Sequence, residues 1–211
     1  MPVNISGYDI ENVKEFKYLG HMFYSEQKES FVDNRILSAT GKFYELKNVL
    51  TDHKVSMNTR RKLLESCIRS RPTYCTEAQL PNENELKKLE SCWFGLLRRM
   101  VRNGWKRKMN SNGEETYALK YRNSDLERIV GTPSLRDFIF VRYLKYIAHV
   151  CRRPNSNLTK QLLFAVPSAK YVRDPWIKIS QLLNVDKYQA KKSTQDRKVF
   201  KGLLQRNFGS V

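Results

Sequence analysis

Apolar residues recur every three or four positions along most of the chain, a spacing that predicts amphipathic helices. The first predicted helix carries six of them on one face: Val32, Ile36, Ala39, Phe43, Leu46 and Leu50. A second begins at a Ser56 N-cap and ends before Pro72, because proline disfavours a helical residue ahead of it. A third begins at Asn82, with Glu85 as its capping-box partner, and ends before Gly104. Its buried face consists of Leu86, Leu89, Trp93, Leu96, Leu97 and Met100. Three such helices predict an antiparallel bundle.

Turn and cap residues divide the second half of the chain. Asn110-Ser111-Asn112-Gly113 predicts a loop between the bundle and a second helical region. Ser124 predicts the cap of a short helix that Gly131 ends, and Ser134 predicts the cap of a longer helix that stops before Pro154. We therefore expect this half to be helical throughout.

The two ends of the chain carry different patterns. Near the N-terminus, strand-forming aromatic residues predict a short β segment, and ordinary strand packing explains them without a ligand: Phe16, Tyr18 and Phe23. Near the C-terminus, Asp174-Pro175-Trp176 predicts a capped helix through Leu183. A last basic helix is expected to end near Phe208.

The charge of the chain indicates which class of partner it binds. The chain has 211 residues with 39 Lys+Arg against 21 Asp+Glu, a formal net charge of +18 and a pI near 9.9. Lys and Arg minus Asp and Glu gives −1 for residues 1–50, +4 for 51–100, +5 for 101–150 and +10 for 151–211. A polyanionic partner follows, and nucleic acid is preferred to a membrane because no apolar run approaches the roughly 20 residues that span a bilayer.

Cysteine usage and the N-terminal sequence bear on the compartment. The four cysteines stand singly, without zinc-site or disulfide-scaffold spacing. The N-terminal sequence also lacks the apolar region of a signal peptide. We therefore expect an intracellular protein of the nucleus or cytoplasm, not a secreted one.

The strongest nucleic-acid signal is a basic run from position 98 to position 108. It holds six cations and an aromatic residue that could stack on a base: Arg98, Arg99, Arg102, Trp105, Lys106, Arg107 and Lys108. The alternative is a solvated helix end, where cations also favour the dipole. Arg60-Arg61-Lys62 is a weaker version of the same signal, as is Lys191-Lys192.

Motifs for independent catalysis are missing from this sequence. No two aspartates are adjacent or separated by one residue, and no phosphate-cradling, dinucleotide-binding, metalloprotease or nucleophile-elbow motif occurs. His21, His53 and His149 have no carboxylate or cysteine at ligand spacing, so structural or surface roles are favoured over metal or acid–base roles. We predict no catalytic or metal-binding residues.

The opening of the chain combines Asn4-Ile5-Ser6-Gly7 with Phe16-Lys17-Tyr18-Leu19-Gly20. It resembles the hairpin at the end of the palm of LINE-type (non-LTR) retrotransposon reverse transcriptases, where a Tyr-Leu-Gly turn is the primer grip. The resemblance implies that Tyr18, Leu19 and Gly20 contact nucleic acid. In that family the paired catalytic aspartates lie upstream of this hairpin, so we expect them to be absent here.

Further segments extend the resemblance through nearly the whole chain. Arg35–Leu46 and Ser56–Leu64 are similar to the first part of the thumb in those enzymes. Tyr74-Cys75-Thr76-Glu77-Ala78-Gln79 is similar to a segment that the family usually writes Tyr-Gly-x-Glu-x-Trp, with departures at Cys75 and Gln79. Leu97-Arg98-Arg99-Met100 resembles its Leu-Arg-Arg-Met element, and Arg142–Arg153 resembles a later Leu-Arg-Trp-x-Gly-His-Val-x-Arg segment.

The resemblance implies a mainly α protein with an N-terminal β-hairpin. We expect a palm remnant over residues 1–28, a thumb-like helical bundle over 29–105 and a basic helical region over 106–211. The implied function is that of the C-terminal part of an RNA-directed DNA polymerase, binding the template–primer duplex. The chain would hold no cofactor, although the full-length enzymes use Mg²⁺. The alternatives are a stand-alone nucleic-acid-binding protein derived from a retroelement and the non-functional translation of a decayed element.

Overall fold

A computed structural model of the protein describes residues 3–5, 7–18, 21–24, 31–78, 80–102, 104–109, 111–112, 115–164 and 175–209. The chain is mainly helical, as the apolar periodicity predicted. The N-terminal segment contains two successive antiparallel hairpins where one was predicted. Strand β1 (Val3–Ile5) pairs with β2 (Tyr8–Ile10), and β3 (Glu15–Tyr18) pairs with β4 (His21–Tyr24).

The first core is built by the helices that follow. They are α1 (Phe31–Glu45), α2 (Lys47–Leu50), α3 (Met57–Leu63) and α4 (Glu83–Met100). The single helix predicted across 32–50 is divided, because Leu46 leaves helical geometry at φ −98° and ψ 5°. The Ser56 cap is confirmed, and α3 continues as a π-helical turn over Leu64–Arg69. A complete capping box joins Asn82 and Glu85 at the start of α4.

The six residues predicted for the buried face of α4 are all buried. Trp93 is 1% exposed and is among the largest fully buried side chains of the described residues. At roughly 25 cal/mol per Å² of apolar area, one such side chain contributes several kcal/mol of the burial energy. Helix α4 is therefore the centre of the first core.

The loop predicted at residues 110–113 was expected to join two helical units, but the structure has a strand on each side of it. Strand β5 (Trp105–Met109) pairs antiparallel with β6 (Glu115–Leu119), from Trp105 opposite Leu119 to Met109 opposite Glu115. Ser111 and Asn112 are exposed turn residues. The turn was predicted from its residue types, but the strands were missed because Trp105–Met109 lacks the alternation of apolar and polar residues that predicts a strand.

A cap at Ser124 would place the first helical residue at position 125. Helix α5 (Asn123–Val130) begins two residues earlier. The Arg122 backbone N–H donates to Oδ2 of Asp125 at 3.1 Å, so Arg122 is the N-cap. Gly131 ends the helix with φ +73°, a left-handed conformation that glycine adopts at little cost. The predicted Ser134 cap of α6 (Leu135–Cys151) is confirmed, since its Oγ accepts from the Asp137 N–H at 3.4 Å.

Helix α6 joins the first core to a second one. Its first half, including Leu135 and Ile139, belongs to the first core, which therefore extends past residue 106. Its second half packs in the second core with the last three helices. These are α8 (Pro175–Leu183), α9 (Lys187–Gln195) and α10 (Arg197–Phe208), and α7 (Leu158–Phe164) precedes them. Helices α8 and α10 end as predicted; α7 and α9 were not predicted. No helix in the described ranges is both long enough and apolar enough to cross a bilayer.

An acidic cluster lies between α4, α5 and α6. Arg136 forms ion pairs with Glu83 and, at 2.8 Å, with Glu90. Desolvation, with Asp137 and Glu90 nearby, raises the pKa of the Glu127 carboxyl. A carboxyl whose pKa rises on folding favours the folded state when it is protonated. Its protonation therefore stabilises the protein below the ordinary pKa near 4.5, and that stabilisation is lost as the pH rises through the raised pKa.

We expect Glu127→Gln to raise the melting temperature at pH 7, because Gln removes a charge from this acidic surrounding. The advantage over the wild type should vanish below about pH 4, where Glu127 is protonated. Thermal unfolding followed by circular dichroism from about pH 3 to pH 8 measures this. Glu11→Gln, at an exposed position with the same change in net charge, is the control. An equal gain in the control would contradict the assignment.

Candidate nucleic-acid interface

Arg60 holds together the ends of two helices. Its Nε donates to the Val55 carbonyl at 3.1 Å, and its Nη1 donates to the carbonyls of Met100 at 3.2 Å and Leu50 at 3.4 Å. The residue is 6% exposed. The prediction that Arg60 contacts nucleic acid is therefore corrected, because its guanidinium binds orphan helix carbonyls inside the protein.

This contact brings the C-terminal ends of α2 and α4 together. The cations in their last turns share one end of the bundle, where helix dipoles favour positive charge. Tyr44, 49% exposed, lies close to a cation of each helix. Its ring centroid is 5.8 Å from Nζ of Lys47 and 5.9 Å from Cζ of Arg99. We call Tyr44, Lys47 and Arg99 the Tyr44 patch.

The acidic residue that follows Tyr44 in the sequence already forms an ion pair. Glu45 binds Lys42 at 2.6 Å, and this hydrogen bond lowers the pKa of its carboxyl. Lys47 and Arg99 are exposed, and no ion pair of either occurs among the described residues. An exposed aromatic ring between two cations can stack on a base while the cations contact phosphates.

Arg98 and Arg102 lie near Arg99 in the chain but differ in their surroundings. Arg98 Nη2 donates to Oδ1 of Asn123, which fixes its guanidinium against α5. Arg102 is exposed and has φ +50°, a left-handed conformation that ends the helical path after α4. Arg99 and Arg102 are thus the exposed cations of this helix end.

The rest of the basic run belongs to strand β5. Arg107 is exposed and forms an ion pair with Glu115 across the hairpin at 3.4 Å. The backbone of Trp105, Lys106 and Lys108 is part of the strand, and their side chains lie outside what the structure describes. The run predicted as one cluster is divided between a helix end, a left-handed residue and a strand.

The remaining predicted contacts differ in accessibility. Arg61 is half-buried, with Nη1 on the Gly131 carbonyl at 3.1 Å and Nη2 on Asn58 at 2.9 Å. Lys62 is exposed. Nucleic-acid contact by either residue stays a prediction, and Arg61 also has the structural role of joining α3 to the end of α5.

The aromatic face of the β3–β4 hairpin is solvent-accessible. Phe16 and Tyr18 are each 57% exposed, and their rings stack with centroids 6.5 Å apart. Tyr18 is thus placed where a ligand could reach it, rather than in a core. Leu19 and Gly20 lie outside the described residues.

Three segments that carry the family resemblance meet around Glu77. Arg142 Nη2 donates to Glu77 Oε1 at 2.7 Å, and Arg142 Nη1 is 3.5 Å from Thr73 Oγ1. Arg35, 8% exposed, lies 5.9 Å from the Tyr74 ring, and Glu77 is among the charges acting on it. Burial lowers the pKa of Arg35, and Cys75 and Glu77 oppose this shift. We call this contact region the Glu77 junction.

No family model, curated protein or solved structure matches this chain.

A metal site of the resembled polymerases can be tested against the side chains present. In the part of the chain that the structure describes, no three His, Cys, Asp or Glu side chains come together as ligands. These residues do not fit the carboxylate set that holds Mg²⁺.

Sequence reasoning missed Tyr44 and Lys47. A signal was present, since Tyr44 stands beside buried Phe43 and cannot share its face of α1. What the sequence lacked was the packing of α1 against α4, which brings Arg99 to the same ring.

Proposed function

We propose that this chain is the C-terminal part of a retrotransposon RNA-directed DNA polymerase and binds template–primer nucleic acid through its phosphates. The observation that carries the proposal is the Tyr44 patch, an exposed ring between two cations at the end of the bundle. Arg99 of this patch also belongs to the Leu97–Met100 segment that resembles the thumb. Binding through phosphates positions a duplex without reading its sequence.

The conformation of Cys75 supports the family part of the proposal. It has φ +58°, in the left-handed region that favours glycine. The resembled family has glycine at this position. A backbone conformation that suits glycine, retained under a cysteine side chain, is what a diverged copy of the segment predicts. The Glu77 junction supports the same conclusion, because it brings segments far apart in sequence into contact.

The alternative is a stand-alone nucleic-acid-binding protein derived from a retroelement. It is consistent with the same Tyr44 patch, since that surface needs no polymerase to bind phosphates. The genomic sequence upstream of the Met1 codon discriminates between them. Palm aspartate codons in frame favour the polymerase, and a promoter with a short transcript favours the stand-alone protein.

The binding part of the proposal predicts steep salt dependence with little sequence preference. We expect the protein to bind RNA·DNA hybrid duplexes of two unrelated sequences with similar affinity. The logarithm of the binding constant should fall with the logarithm of salt at about 0.7–0.9 per neutralised phosphate. Fluorescence anisotropy between about 50 and 200 mM salt measures both properties. Absence of binding at the lowest salt, or a strong preference for one sequence, would refute the proposal.

A further inference from the structure

A second basic surface lies in the groove between α6 and α10, away from the residues predicted for the interface. The groove has a volume of about 270 Å³. Its rim carries Lys145 of α6, Arg152 directly after α6, and Arg197 and Lys201 of α10, and its lining contains no carboxylate. Its floor is apolar and is formed by Val141, Phe200 and Leu204. The combination suits a ligand with a negative charge beside a flat apolar group.

One hydrogen bond joins the end of α6 to α9, the helix that precedes α10. Arg152 Nη1 donates to the Thr194 carbonyl of α9 at 2.8 Å. Its Nε is buried and makes no hydrogen bond among the described residues. Lys145, Arg197 and Lys201 are exposed and form no ion pair within the described part of the chain. Three free cations and one partly satisfied guanidinium therefore face the same space.

Charge and size select the ligand. Residues 151–211 contain thirteen Lys or Arg against three Asp and no Glu, so an anion is attracted to this end of the molecule. The volume lies below the roughly 300–1,000 Å³ of sites that enclose drug-sized ligands, which fits one nucleotide better than a helix of a protein partner. Gln205, exposed at the rim, offers an amide donor and acceptor for a base edge.

We propose that this groove binds one unpaired nucleotide of a single-stranded nucleic acid, with its phosphate on the four rim cations and its base on the apolar floor. The inference rests on the proposed function, since it gives the strand beside the duplex its own binding site. A paired base cannot enter, because its edge and both faces are occupied in the duplex. The Tyr44 patch then binds duplex, and the groove binds the single strand.

The test compares three variants with equal loss of charge. The groove variant is Lys145→Gln, Arg197→Gln and Lys201→Gln, and it spares Arg152 because of its bond to Thr194. The control variant is Lys187→Gln, Lys198→Gln and Arg206→Gln, at exposed positions of α9 and α10 outside the groove lining. The Tyr44-patch variant is Lys47→Gln, Arg99→Gln and Arg102→Gln. All replace exposed side chains, so circular dichroism should show unchanged helix content.

We expect the groove variant to bind oligo(dT) about tenfold more weakly than the control variant, with a salt slope flatter by about 0.7 per lost phosphate contact. Its affinity for a blunt-ended RNA·DNA hybrid should match that of the control. An abasic oligonucleotide, which keeps the phosphates but removes the bases, should bind the wild type about tenfold more weakly than oligo(dT). Gln205→Glu, which adds one negative charge at the rim, should also weaken oligo(dT) binding.

The outcomes separate this inference from the proposed function. If the wild type binds neither probe, the proposed function fails. If it binds the duplex while the groove and control variants bind oligo(dT) equally, the groove inference fails and the proposed function stands. Equal binding of abasic and normal oligonucleotides would also overturn the placement of a base on the floor. The inference would also be overturned if binding of an acidic aromatic peptide required the groove cations and binding of oligo(dT) did not, because that result would indicate a protein partner.

Discussion

Replacing Arg60 with Met is expected to lower the free energy of unfolding by about 2–4 kcal/mol. Met preserves much of the side-chain volume but removes a buried guanidinium that binds three carbonyls. Hydrogen bonds to charged groups contribute about 1.5–3 kcal/mol each, and buried carbonyls left unpaired add a desolvation cost. The bonds at 3.1 and 3.2 Å should dominate, because the third is long at 3.4 Å. Urea unfolding followed by circular dichroism measures the change.

Lys62→Met is the matched control, on the same helix, with the same loss of charge at an exposed position. It should change stability by no more than about 0.5 kcal/mol. Arg60→Lys adds a second comparison, since it keeps the charge but cannot reproduce the planar fork of donors. Equal stability of the Arg60 and Lys62 variants would show that the hydrogen bonds of Arg60 do not hold α2 and α4 together.

The Tyr44-patch variant is expected to bind RNA·DNA hybrid duplex on the order of a hundredfold more weakly at physiological salt. Each cation that contacts a phosphate contributes about one unit to the salt slope, so the slope should flatten by as much as about 3. Tyr44→Ala, which removes the ring but no charge, should weaken binding without changing the slope. Anisotropy titrations over a salt series give affinity and slope from one data set.

The control variant of α9 and α10 makes this comparison specific to position. It has the same net charge as the Tyr44-patch variant, so general attraction to a polyanion is reduced equally in both. The proposed interface requires a larger loss in the Tyr44-patch variant. Equal losses in the two would mean that duplex binding is spread over the whole basic surface rather than located at the end of the bundle.

The helical part of the fold could be predicted well because its determinants are local. Asn82 and Glu85 form their capping box within one turn, and the buried face of α4 follows from spacing along one helix. The predicted ends of α8 and α10 were confirmed for the same reason. The β5–β6 hairpin was missed, because a short basic strand is stabilised by pairing with its partner more than by its own pattern. The division of the first predicted helix at Leu46 was missed as well.

The candidate site was predicted less well, and Arg60 shows why. In the sequence it stands beside Arg61 and Lys62, and the three cations have the same character. In the structure Arg60 is buried against helix carbonyls, Arg61 is half-buried and Lys62 is exposed. Side-chain type predicts what a residue can bind, whereas packing decides whether it is free to do so.

By itself, the sequence determined the helical character, most of the helix caps and the strong positive charge, because these depend on neighbouring residues or on composition. Only the tertiary structure decided which cations stay free. It brought Arg99 to Tyr44 by packing α4 against α1, and it placed Lys145 and Lys201 on two sides of one groove. Both arrangements join residues more than 50 positions apart, and their distance in space depends on core packing that local patterns do not encode.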